Sequence, residues 1–164
     1  MASSSSSFNV PQIKRDVFIS FRGEVRPSIL SHLKKRLKDE GIDYYVDDES
    51  LRAGDEISST LLQAIEESSI LLVIFSKDYA SSRWCMEELA KIIECMEQYK
   101  RIVIPVFYNV DPSDVRHQKR TFEEAFDVHT EKYKENWAKV QNWRSALTKT
   151  ADLSGIHYPS NLFR

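Results

Sequence analysis

Four short runs rich in β-branched and aromatic residues, at 16–21, 44–47, 70–75 and 102–108, alternate with stretches of helical spacing at about 26–40, 57–68 and 84–99. Strands that are apolar along most of their length have to be covered on both faces. Repeated strand-helix units built on such strands predict an α/β, flavodoxin-like three-layer fold. The expected sheet is parallel, with four to five strands in the order 2-1-3-4-5 and helices on its flanks. Local punctuation agrees. Gly41 stops the first helix, Asp55 or Ser58 can cap the second, and Pro112 closes the turn after the fourth strand. Two further helical stretches follow, at about 121–134 and 137–153, with Gly155 ending the second.

The length of 164 residues suits one domain with a core of its own. A formal charge of -2 gives no electrostatic case for a nucleic-acid partner. Cys85 and Cys95 lie on one predicted helix and cannot bridge within it, so they read as reduced thiols of an intracellular protein. No run approaches the roughly 18 apolar residues of a membrane span, and no membrane partner is expected. Residues 1–13 read as a disordered Ser-rich leader that lacks the arginines of a transit peptide.

Several chemistries are excluded by what the chain lacks. No Gly-x-Gly-x-x-Gly follows the first strand, and there is neither a Gly-x4-Gly-Lys-Ser/Thr loop nor a Gly-x-Ser-x-Gly elbow. His32, His117, His129 and His157 have no ligand partner at zinc spacing, so no metal is expected and each reads as a surface or helix-contact residue. A phospho-acceptor receiver domain needs acids after its first and third strands, where this chain has Phe21-Arg22 and Ser76-Lys77.

In an open parallel sheet, function gathers beyond the carboxyl ends of the strands. That edge holds Arg22, Gly23 and Glu24, then 47–54, then 76–84, then 109–116. Arg22, Arg26 and Arg52 offer cations for phosphates, and Trp84 offers a ring for stacking. Within Ser81-Ser82-Arg83-Trp84-Cys85-Met86-Glu87-Glu88-Leu89, helical phase points Glu87 away from the apolar face. It sets Glu88 on the flank of that face, half-buried between Trp84 and Ile92. Such a carboxylate is either a chemical group or a first-turn acid favoured by the helix dipole.

Five ordered segments carry a resemblance: 16–24, the 47–54 loop, Ala64-Ile65-Glu66-Glu67-Ser68, 79–89, and Val110-Asp111-Pro112-Ser113-Asp114-Val115-Arg116. Together they resemble a plant TIR (Toll/interleukin-1 receptor) domain, the module that usually begins an intracellular immune receptor. The resemblance covers 14–155 as the domain and leaves 156–164 as a tail or the start of a linker.

The resemblance implies an assembly-dependent NAD+ nucleosidase with NAD+ or NADP+ as substrate, no resident cofactor, and Glu88 as the catalytic residue. It implies nucleotide contacts from Arg22, Gly23, Arg26, Asp47, Arg52, Gly54, Ser82, Trp84 and Cys85, with the 48–56 loop as a lid or an arm to a neighbour. Self-association through Ser31, His32 and Gly155, with other TIR domains as partners, is implied too, as is a cytoplasmic or nuclear location. The superfamily also contains scaffolds that recruit other TIR domains without turnover, and members that act on nucleic acid; the fold alone does not separate these. Two positions depart from the family's pattern. The chain is one residue short between Gly23 and Arg26, and it has Arg120 where a glycine is usual.

Overall fold

The computed structural model describes residues 10–25, 29–46 and 57–158. Its strands are β1 (Arg15–Ser20), β2 (Tyr44–Val46), β3 (Ser68–Phe75), β4 (Ile102–Tyr108) and β5 (Ile156–Tyr158). The order is β2-β1-β3-β4-β5, as expected, and every pairing is parallel. The helices are α1 (Ser31–Asp39), α2 (Ser59–Glu66), α3 (Arg83–Tyr99), α4 (Pro112–His117), α5 (Thr121–Lys132) and α6 (Trp137–Ala151).

The period of two along each strand divides the interior into two cores. Phe18, Leu71, Val73, Phe75, Val103 and Phe107 face the helix-rich side with α2, α3, α5 and α6. Val17, Ile19, Ile70, Leu72, Ile74 and Val106 face the other side, where Leu33 and Leu37 of α1 pack on them. Ser20 shares its face with Phe18 and so enters the helix-rich core at the carboxyl end of β1, where it is buried.

Helix ends follow the local chemistry. Ser58 accepts the Leu61 N–H at 3.1 Å and caps α2. Gly41 takes φ 74° after α1, a left-handed conformation that suits glycine. Pro112 does not close a turn. It begins α4, because Asp111 accepts the Ser113 N–H and the proline ring fits the first helical position.

Residues 156–158, placed beyond the domain by the sequence reading, are β5 and pair with β4 through Val106↔Ile156. Gly155 makes that pairing possible: a Cβ there would lie 2.5 Å from the Pro105 carbonyl oxygen. At the other terminus Arg101, 6% exposed, donates to the carbonyls of Glu66 and Pro11, each at 2.6 Å. That arginine ties residues 10–14, part of which the sequence reading put in the leader, to the end of α2.

Arg120 holds φ 54° and ψ -125°, a conformation natural to glycine and strained for a residue with a Cβ. Its Nε lies 3.1 Å from Asp114, but the side chain is 80% exposed, so the ion pair offsets little of the strain. Arg120→Gly is expected to stabilise the fold by about 1 kcal/mol. A melting scan should read this as a rise of about 2–4 °C. A fall would mean that the Asp114 pair outweighs the backbone strain.

Candidate functional site

The site lies at the carboxyl edge of β1 and β3, where α3 begins. Ser82 caps α3 by accepting the Cys85 N–H at 3.1 Å. Glu88 sits in the second turn from that cap, so the first-turn dipole reading does not apply to it. Nor is it half-buried: it is 2% exposed. Helical phase sees one helix only, and here β1 lies over the flank that phase left open. The Ser20 hydroxyl donates to Glu88 Oε1 at 2.6 Å, a length typical of an O–H···O⁻ bond. Ser20 also lies 2.8 Å from the Tyr79 hydroxyl, which makes a longer contact of 3.4 Å to the Cys85 carbonyl.

Tyr79 is fully buried in the bend after β3, its ring edge-on to Phe75 at 5.0 Å. Burial, with the Cys85 and Glu88 groups adding to it, pushes the phenol well above its usual range. The phenol therefore stays protonated and available as a donor. Neither Ser20 nor Tyr79 stands out in the sequence as a functional residue. The available signal was the strand period, which puts Ser20 on the inner face with Phe18.

The expected nucleotide contacts divide into three groups. Ser82, Trp84 and Cys85 surround the start of α3 and are buried; Trp84, at 5% exposure, packs in the core and presents no open ring. The Cys85 thiol donates to the Phe21 carbonyl at 3.5 Å, which ties α3 to the end of β1. Arg22 and Gly23 follow directly and are partly exposed, and Gly23–Val25 forms a tight 3-10 turn. The chain that is one residue short here still buries Val25 completely. Arg26, Asp47, Arg52 and Gly54 lie outside the described residues. Ser31 and His32 are exposed at the start of α1, and the close approach of Gly155 is to β4 of its own chain.

His129 supports the same segment from α5. Its Nε2 bonds the Ala80 carbonyl at 2.7 Å, two residues before the Ser82 cap. Phe126 and Trp143 pack edge-on around the ring at 5.3 and 5.0 Å. Burial lowers its pKa below the usual value, so near neutral pH the ring is uncharged and Nε2–H is the donor to Ala80. The helix-contact expectation for His129 is met.

Glu87 does not face open solvent as helical phase suggested. Its Oε2 pairs with Lys139 of α6 at 2.8 Å, both side chains about three-quarters covered (26% and 28% exposed). Lys139 also lies over the Tyr133 and Trp143 rings at 5.6 and 5.3 Å. Glu87→Ala is therefore expected to cost up to about 1 kcal/mol in urea unfolding, the scale of a partly exposed pair, while leaving chemistry at Glu88 unaltered. Unfolding that does not change would mean the pair is idle. A cavity of about 470 Å³ beside this pair, between α2, α3 and α6, is lined by Glu94, Glu97 and Lys149 among others and does not include Glu88. No helix among the described residues is long and apolar enough to cross a membrane.

A family model described as TIR domain matches residues 14–161. The TMV resistance protein N of Nicotiana glutinosa is 50% identical over 156 residues, which are 94% of this chain and 13% of that protein. Disease resistance protein RPV1 of Vitis rotundifolia is 48% identical over 159 residues, 93% of this chain and 11% of its own length. The chain thus spans roughly an eighth of these relatives. Among solved structures, the TIR domains of the activated Roq1 resistosome, which directly recognises the pathogen effector XopQ, superpose with a TM-score of 0.81. They are 45% identical and cover 91% of this chain and 90% of theirs.

Proposed function

This chain belongs to the TIR domain family, and on that footing we propose that it is an NAD+ nucleosidase that works when several copies assemble. We place it at the head of a plant immune receptor that acts inside the cell, where its ADP-ribose-type products would signal defence and cell death. The observation that carries the reading is the Glu88 carboxylate, anchored by Ser20 at the carboxyl edge of the sheet.

The chemistry asks little of the protein. In NAD+ the nicotinamide nitrogen is a cation, so when the C1′–N bond breaks its electron pair leaves with a neutral base and no acid is required. Positive charge develops at the ribose C1′ and ring oxygen, and one fixed carboxylate beside it lowers the barrier. Water, or the adenine in a cyclising variant, then forms the new bond to C1′. Arg22, Arg26 and Arg52 would hold the phosphates and Asp47 a sugar hydroxyl. Gly23 and Gly54 would let backbone approach the substrate, while Ser82, Trp84 and Cys85 shape the wall beside Glu88.

Glu88 at 2% exposure is closed to a dinucleotide. Turnover then requires that part of its cover move, and contacts between copies supply a state-dependent free energy for that. Assembly through Ser31 and His32 gives such contacts, and the resistosome context of the Roq1 TIR domains supports the reading. Ser31→Ala with His32→Ala should lower NAD+ turnover at low protein concentration, and a crowding agent or fused oligomeriser should restore it. Loss without rescue would mean that the pair does not act through assembly.

A further inference from the structure

We infer that Ser20 and Tyr79 are positioning residues for Glu88, acting in series as a one-way hydrogen-bond chain from the Tyr79 hydroxyl through the Ser20 hydroxyl to Glu88 Oε1; this rests on the nucleosidase reading above. Ser20 has a single proton, and the 2.6 Å contact commits it to the carboxylate. The 2.8 Å contact between Ser20 and Tyr79 must then be filled by the phenol proton, with Ser20 as acceptor. Both side chains are buried, Ser20 at 1% and Tyr79 at 0% exposure, so water does not compete for either bond. In such surroundings each bond polarises the next and the chain acts as a unit.

The three side chains come from three separate elements, which is what makes the arrangement a positioning device. Ser20 ends β1, Tyr79 lies in the bend after β3, and Glu88 is on α3. The chain leaves Glu88 one preferred rotamer at the edge where the sheet opens. A carboxylate free to rotate would spend part of its time away from the developing charge, and a small misplacement costs much of the electrostatic benefit. Tyr79 touches Ser20 and helps fix it, and so acts on Glu88 at one remove.

The test has two arms. The first is a double-mutant cycle in urea unfolding on Ser20→Ala and Glu88→Ala, which removes the acceptor and so reads the contact whether or not NAD+ is cleaved. The two changes should be non-additive by at least about threefold in the folding equilibrium. Additive losses would overturn the proposal. The second arm is steady-state nicotinamide release. Ser20→Ala should lower kcat by about 10- to 100-fold, the scale of supporting-residue changes, with KM changed less than about threefold.

Tyr79→Phe keeps the ring and should lower kcat less. The Ser20→Ala, Tyr79→Phe double variant should be no slower than Ser20→Ala alone, because Tyr79 acts through Ser20. Multiplying losses, or a KM rise in place of the kcat fall, would overturn the serial chain. Coupling in unfolding without any release by the unaltered chain faults the nucleosidase reading, and the catalytic role of the pair falls with it.

Discussion

Glu88→Gln is expected to abolish detectable NAD+ cleavage while the protein stays folded. The substitution keeps the volume of a side chain that is 2% exposed and leaves Ser20 an oxygen to donate to, so packing around α3 has no cause to change. What it removes is the negative charge. A neutral amide cannot balance the charge that develops at the ribose as nicotinamide leaves. Loss of one preorganised electrostatic partner typically costs about a hundredfold or more, roughly 3 kcal/mol or more of barrier. Nicotinamide release followed beside a melting scan separates the two properties. Full turnover by the variant would take Glu88 out of the mechanism.

Gly155→Ala is expected to produce the largest loss of stability from the smallest change. The added Cβ would meet the Pro105 carbonyl oxygen at 2.5 Å, its Cγ at 2.8 Å and Phe107 Cε2 at 2.9 Å. Two of the three belong to the ring and backbone of a proline inside β4 and have little freedom to yield. Relief therefore requires β5 to move away, at a cost of about 1–3 kcal/mol, and the Asn109 N–H would lose its 3.1 Å bond to the Tyr158 carbonyl. Faster hydrogen exchange at Asn109 together with a lower melting point, both at protein concentrations where copies stay apart, would show the effect. If Gly155 serves only contacts between copies, the dilute protein should melt unchanged.

Much of this architecture was legible in the sequence because it rests on patterns that repeat. The parallel sheet with both faces covered follows from apolar strands alternating with helices, and Ser58 and Gly41 mark helix ends by local chemistry alone. Asp111-Pro112 was ambiguous in principle, since a proline after an aspartate suits both a turn and a helix start, and the capping bond to Ser113 decides it. β5 carried little signal because three residues at an exposed sheet edge need no apolar pattern. Arg120 was visible as a departure from a glycine position, and the backbone retains the glycine-like conformation despite it.

The site was legible one helix at a time. Phase along α3 selected Glu88 but could not show what lies against it. The hydroxyl that anchors it is 68 residues away in sequence, and the phenol behind that is 59 residues from the same serine. Glu87 was misplaced for the same reason: its partner Lys139 is 52 residues away, on a helix whose packing angle no local pattern encodes. Burial of Trp84 belongs here as well, since an indole on the apolar flank of an isolated helix looks available until the core closes on it.

In the proposed function, assembly turns a closed Glu88 site into a nucleosidase. The most direct test is nicotinamide release from NAD+ over a concentration series of the chain, with and without a crowding agent, beside Glu88→Gln. The expected rate per chain climbs with concentration and with crowding, and is absent in the variant throughout. Self-association detected by light scattering with no release at any concentration would contradict it and favour a signalling scaffold.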